Sequence, residues 1–138
     1  MNYMTVLITD NKSCYSIYEP ENKWIYSTFK GLVNYNLIME HLQNGQRFSQ
    51  NHEILGALVD LRALRGSYYK LFDYLENEVY PNLKSKGLSI QAFIISDDII
   101  TAHVTGKLME MFARLNIKAE IFTDIAQGRA WLQRHVPA

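Results

Sequence analysis

The chain is poor in metal ligands and reactive groups. Cys14 is the only cysteine among 138 residues, so the chain cannot form an internal disulfide or a cysteine-rich zinc site. The four histidines are scattered without H-x-x-x-H spacing, and no glycine-rich phosphate-binding motif is present. The sequence therefore predicts no metal site, no cofactor and no assembled catalytic centre.

Net charge and long apolar runs are also missing. Fourteen Lys and Arg residues balance fourteen Asp and Glu residues, so no overall field would attract nucleic acid. No run approaches the roughly 20 apolar residues of a membrane-spanning helix, and residues 1–10 lack the pattern of a signal peptide. We expect no nucleic-acid partner, no transmembrane segment and a cytoplasmic location.

Seven glycines and three prolines are too few for a flexible linker, and the chain has no repeat. Hydrophobic residues make up 48% of the chain, enough for a core that needs no disulfide or metal at this length. Residues 1–138 are therefore predicted to form one domain.

Strand patterns begin with two segments rich in β-forming residues, 14–18 and 24–30, which predict an antiparallel hairpin. A short edge strand at residues 6–8 can precede it. Three later apolar runs predict further strands, of which the first is expected to be covered on both faces and the second to be buried. They lie at residues 54–59 (ending at Asp60), 88–95 and 117–122.

Four helices are predicted between and after these strands. Each is expected to begin at a capping side chain; the four caps are Asn34, Ser67, Thr101 and Asp124. Pro81 should kink or divide the second helix. The order β-β-α-β-α-β-α-β-α implies parallel pairing with right-handed crossovers after the hairpin. The predicted fold is thus a single-domain α/β mixed sheet.

Four short motifs resemble, in order and spacing, those of the bacterial STAS-like domains. That family is related to anti-sigma-factor antagonists and to a lipid-transfer fold. The motifs are Trp24-Ile25-Tyr26 to Lys30-Gly31, Ala57-Leu58-Val59-Asp60-Leu61-Arg62, Pro81-Asn82-Leu83-Lys84 through Gly87-Leu88, and Ala130-Trp131-Leu132. The resemblance covers about residues 13–135 and implies a STAS-like fold. Antagonists carry an Asp-Ser-Ser-Gly-Leu-like phosphoacceptor segment, whereas residues 60–68 lack Ser-Ser-Gly. We therefore predict that Ser67 is a helix cap and not a phosphorylation switch.

Ligands of open α/β sheets bind beyond the carboxyl ends of parallel strands. That rule gathers polar side chains from successive loops: Asp60, Arg62, Arg65 and Ser67; Ser96, Asp97 and Asp98; Thr123 and Asp124. They form either a cleft for a polar ligand or a set of caps and solvated charges. Tyr68 and Tyr69 could instead line an apolar ligand pocket, as the lipid-transfer relationship suggests.

Aromatic side chains crowd the hairpin, where Tyr15, Trp24 and Tyr26 lie on two strands that something must cover. They are either core residues or an interface with a protein partner or a second copy. The functional hypothesis is a non-catalytic binding or regulatory module that acts through a protein partner, as a homodimer, or through a small apolar ligand. The alternative is a small enzyme that uses Asp60, Arg62 and Asp97.

Overall fold

The computed structural model describes residues 4–135, which form one six-stranded sheet. The strands lie side by side in chain order: β1 (Val6–Asp10), β2 (Cys14–Glu19), β3 (Trp24–Leu32), β4 (Gly56–Arg65), β5 (Ile90–Ile94) and β6 (Lys118–Phe122). β1, β2 and β3 are antiparallel neighbours, and β3 to β6 are parallel. The predicted mixed α/β sheet is confirmed, with β1 as the edge strand.

Helical structure follows each parallel strand: α1 (Tyr35–Ser49), α2 (Phe72–Tyr74), α3 (Tyr80–Ser85), α4 (Ile99–Leu115) and α5 (Ile125–His135). α2 and α3 belong to one interrupted stretch, residues 69–85, which we call the second helical segment. It begins with a 3₁₀ turn, Tyr69–Leu71, and a π turn, Leu75–Val79, joins its two α-helical parts. Pro81 lies in the first turn of α3, where a missing backbone donor is tolerated, so the predicted division falls just before it.

The two faces of the sheet are covered unequally. α1, the second helical segment and α4 pack on one face and form the larger core. On the other face α5 packs on β4, β5 and β6, with Trp131 and Leu132 in a smaller core. A Cβ atom at Gly128 would lie 2.7 Å from Cδ1 of Ile94, so this glycine permits the close approach of α5.

The same face of β1 to β3 extends beyond α5. Leu7 is 57% exposed and Tyr15 is 46% exposed, and strand register places both on one side with Ile17 and Tyr26. We call these four residues the uncovered strand face; Tyr26 lies at its border, where it is half-buried against the smaller core.

Strand β4 corrects one prediction. It was expected to end at Asp60, but it continues to Arg65 because residues 63–65 pair with Lys30, Gly31 and Leu32 of β3 after a register shift. The prediction that residues 54–59 are buried holds for all but Leu55 and Val59, which are half-buried.

Two of the four predicted caps, Asn34 and Asp124, are confirmed by side-chain hydrogen bonds at the start of their helices. Asn34 Oδ1 accepts a hydrogen bond from Leu37 N at 3.1 Å, and Asp124 Oδ1 accepts one from Ala126 N at 2.7 Å. α4 begins at Ile99 and is capped by Asp98, so Thr101 is not its cap. Among residues 4–135, no helix is long and apolar enough to cross a membrane.

Candidate functional site

Asp60 and Arg62 lie at the carboxyl-end side of the sheet and are bound to each other. Arg62 donates from Nε to Oδ1 at 3.0 Å and from Nη2 to Oδ2 at 2.7 Å, and its backbone N also donates to Oδ1 at 3.0 Å. Asp60 is only 5% exposed. The side-chain hydrogen bonds with Asp60 are the main reason that the pKa of Arg62 is raised. Both carboxylate oxygens are therefore engaged, and the pair stabilises the continuation of β4.

The second predicted loop is a helix start. Asp98 Oδ2 accepts a hydrogen bond from Thr101 N at 3.0 Å, and Asp98 N donates to Ser96 Oγ at 3.3 Å. The bond from Thr101 N is the main cause that lowers the pKa of Asp98. Asp97 is exposed, and no hydrogen bond or ion pair among residues 4–135 joins it to Asp60 or Arg62. This loop thus caps α4 and does not complete a cleft with the Asp60–Arg62 pair.

The rest of the first predicted loop, Arg65 to Tyr69, makes a turn into the second helical segment. Gly66 has φ +100°, a conformation that favours glycine. Ser67 Oγ accepts a hydrogen bond from Tyr69 N at 3.2 Å, the kind of bond predicted for a cap, although Ser67 lies one residue before the first capping position, Tyr68. Arg65 is exposed and its guanidinium donates to nearby backbone oxygens.

The three aromatic residues of the hairpin differ in how far they are covered. Trp24 is 2% exposed and lies beneath α5, with the Arg129 guanidinium 5.5 Å from its ring centre. Arg129 also makes a bidentate ion pair with Glu19, at 3.0 and 3.1 Å. The expectation that Trp24 contributes to an interface is therefore not met, because α5 already covers it. Tyr15 and Tyr26 belong to the uncovered strand face.

An interior cavity lies between the sheet and the helices of the larger core. It has two adjacent chambers of about 80 and 60 Å³. Both chambers share five wall residues: Ser27, His41, Leu42, Val59 and Tyr80. Apolar side chains dominate the walls, among them Phe29, Leu61, Leu71 and Leu75 of the first chamber. On this scale a water molecule needs about 10–15 Å³, so the cavity has room for a small organic group.

Two of the predicted site residues differ in their relation to this cavity. Tyr68 is 6% exposed and lines the first chamber, and its hydroxyl bonds to Thr105 Oγ1 at 2.6 Å. Burial raises the pKa of Tyr68, so it is a neutral phenol there. Tyr69 is 59% exposed and points away from the core. The tyrosine pair thus supplies one wall residue.

A buried polar network borders both chambers. His41 Nδ1 lies 3.2 Å from Thr9 Oγ1, His41 Nε2 lies 3.4 Å from Ser27 Oγ, and Ser27 Oγ lies 3.0 Å from Ser16 Oγ. Burial lowers the pKa of His41 to about 4, so its ring is neutral at pH 7. The network links β1, β2, β3 and α1 and satisfies these side chains with one another.

Gln91 differs from that network because it is not fully satisfied. It lies in the middle of β5, is 0% exposed and lines the second chamber. Its Nε2 donates to the Tyr80 hydroxyl at 2.9 Å, and its Oε1 has no hydrogen-bond partner. A buried amide oxygen without a partner is costly, and among the described residues of the two chamber walls this is the buried side-chain polar atom that has none.

Apart from Tyr68, sequence reasoning did not identify the residues of the cavity, but two signals were present. Gln91 interrupts an otherwise apolar run, and His41 falls on the apolar face of α1 beside Ile38 and Leu42. Each is a polar side chain at a position predicted to be buried. Such positions mark hydrogen-bond networks or binding sites.

No family model, no curated protein and no solved structure matches this chain. The resemblance to the STAS-like domains therefore stays a prediction from the motifs. Within residues 4–135, no three His, Cys, Asp or Glu side chains are grouped to hold a metal ion.

Proposed function

We propose that this domain is a non-catalytic binding module that holds a small, largely apolar ligand in the interior cavity. The observation that carries the proposal is the position of the two chambers. They lie inside the larger core, where protein interiors are otherwise close-packed. Val59 illustrates the point, because it lies in the central strand β4 and yet is only half-buried, with a chamber beside it.

An empty chamber lowers stability. At about 24 cal/mol for each Å³, the first chamber of about 80 Å³ corresponds to about 2 kcal/mol. A domain of this size has a total stability of only about 5–15 kcal/mol. A ligand that fills the chamber would restore that contact energy, which supports a binding role.

The wall formed by the second helical segment supports access to the cavity. Leu75 lines the first chamber and Val79 lines the second, and these two residues are the ends of the π turn. π turns inside helices often accompany functional sites. Segments with irregular hydrogen bonding open at lower free energy than regular ones, so we place the route of ligand access here.

The family resemblance is consistent with this proposal, because the STAS-like domains are related to a lipid-transfer fold. The alternative, an enzyme at the carboxyl ends of the strands, has less support. Arg62 occupies both oxygens of Asp60, and Asp97 is exposed on a separate loop.

Native mass spectrometry of freshly purified protein is the first test. A co-purified molecule of low mass that leaves on denaturation would support the proposal. The second test uses toluene, an apolar probe comparable in size to the two chambers taken together. We expect saturating toluene to raise the melting temperature by a few degrees.

A matched pair of variants locates that effect. Val59→Leu adds a methylene group to the wall of both chambers, whereas Val104→Leu adds the same group to a packed part of the same core. We expect Val59→Leu to abolish or reduce the toluene effect and Val104→Leu to retain it. Toluene that leaves the melting temperature of the wild-type protein unchanged would contradict the proposal.

A further inference from the structure

The second chamber contains a polar group that an entirely apolar ligand would leave unsatisfied. Gln91 is fully buried and lines this chamber, and its Oε1 has no hydrogen-bond partner. Two other buried side-chain atoms of residues 4–135 also lack a partner, Trp24 Nε1 and Ser89 Oγ. Neither residue lines a chamber, so Gln91 is the chamber residue whose side chain has an unsatisfied atom.

The Gln91 amide directs its Nε2 towards Tyr80, whose hydroxyl can also donate a hydrogen bond. Gln91 Nε2 donates to the Tyr80 hydroxyl oxygen at 2.9 Å. Tyr80 is itself buried, and burial raises its pKa to about 12, so it is a neutral phenol at pH 7. The other end of the amide is the carbonyl oxygen, which can only accept hydrogen bonds.

The remaining polar groups around the second chamber are already paired. His41 and Ser27 belong to the buried network, and Gln46 Nε2 donates to the Tyr74 hydroxyl at 2.7 Å. A ligand group that enters this chamber therefore meets apolar walls and one acceptor without a partner.

We infer that the ligand of the interior cavity is a small apolar molecule bearing one hydrogen-bond donor, such as a hydroxyl group, which donates to Gln91 Oε1. The inference rests on the proposed function and specifies its ligand class. Alcohols and phenols belong to this class, whereas hydrocarbons and ketones do not. A pocket built to satisfy a polar group discriminates against analogues that leave it unpaired.

Three probes of similar size separate these classes: cyclohexanol, which donates, cyclohexanone, which only accepts, and toluene, which does neither. Their affinities differ also because water solvates them differently, so each is measured in the wild-type protein and in Gln91→Met. The ratio between the two proteins cancels the solvation of the probe. Binding is measured by NMR titration.

We expect Gln91→Met to weaken cyclohexanol binding about tenfold and to change toluene and cyclohexanone binding by no more than about twofold. Gln46→Met is the matched control, because Gln46 lines the same chamber but its amide is paired with Tyr74. It should leave the cyclohexanol ratio unchanged.

A second measurement uses the wild-type protein, so that its result does not depend on whether Gln91→Met folds correctly. The side-chain carbonyl carbon of Gln91 should move downfield when cyclohexanol binds, because its oxygen then accepts a hydrogen bond, and should not do so with toluene. A selective loss of cyclohexanone binding in Gln91→Met would overturn the inference by showing that the amide presents its NH₂ group. If Gln91→Met changed the binding of all three probes equally, the inference would be overturned, because a water molecule and not the ligand would then be the partner of Gln91 Oε1. Toluene binding would still support the proposed function in that case. If no probe binds the wild-type protein, the proposed function fails first and the inference with it.

Discussion

Acidification should destabilise the domain through one residue, His41. Its ring is buried between α1 and the sheet, where it contacts the hydroxyls of Thr9 and Ser27. Burial lowers its pKa from about 6.5 to about 4. The unfolded chain, with the ordinary pKa, therefore takes up a proton at a higher pH than the folded protein does. Stability is full above pH 6.5 and is lost as the pH falls towards 4.

The size of the effect follows from the shift. Each pKa unit corresponds to 1.36 kcal/mol, so a change from 6.5 to about 4 amounts to about 3 kcal/mol when complete. Between pH 7 and pH 4.5 we expect a loss of about 2 kcal/mol. Carboxylates with a lowered pKa, such as those of Glu76 and Asp98, lose their contribution mainly below this range.

Urea unfolding at pH 7, 6, 5 and 4.5, followed by the fluorescence of Trp24 and Trp131, measures the loss. His41→Gln should have lower stability at pH 7 and a much flatter pH dependence. His103→Gln is the matched control, because His103 is exposed on α4, and it should follow the wild-type curve. Parallel curves for the wild-type protein and His41→Gln would refute the reasoning.

Further predictions concern glycine packing, the Ser67 turn and the uncovered strand face. Gly45→Ala should stabilise the domain by about 0.5–1 kcal/mol, because the new Cβ meets no atom within 4 Å. Gly128→Ala should destabilise it by about 1–3 kcal/mol through its contact with Ile94. Thermal unfolding measures the stability of both variants against the wild-type protein. Ser67→Ala should cost about 1 kcal/mol and Ser67→Asp less, and an alanine variant as stable as wild type would contradict the role of its hydroxyl. Sedimentation should detect a dimer that Tyr15→Ser weakens, and a wild-type monomer at high micromolar concentration would refute that contact.

The arrangement of strands and helices could be predicted from the sequence because it follows from the spacing of apolar residues and from the turn and capping residues between them. Apolar runs such as Ile90–Ile94 and the hairpin at residues 14–30 correspond to observed strands. The end of β4 could not be predicted in the same way. Asp60 and Arg62 are charged residues that suggest a loop, but they form an ion pair within the strand. Leu61, which lies between them, and Leu64, which follows them, are buried.

The cavity could not be predicted because a void is a property of packing in three dimensions. Its walls come from β3, α1, β4, the second helical segment, β5 and α4. Sequence periodicity assigns each of these side chains to the core without indicating where they fail to meet. The burial of Trp24 could not be predicted for a similar reason. It depends on the position of α5, which the ion pair between Arg129 and Glu19 helps to hold over the hairpin.

The most direct test of the binding proposal is to locate a bound apolar probe by NMR. With toluene at saturation, intermolecular nuclear Overhauser effects should connect the probe to methyl groups of Leu42, Val59 and Leu75, which line the cavity. Leu132, in the core on the opposite face of the sheet, should give none. Effects confined to Leu7 and Ile17 on the uncovered strand face, or no effects at all, would contradict the account.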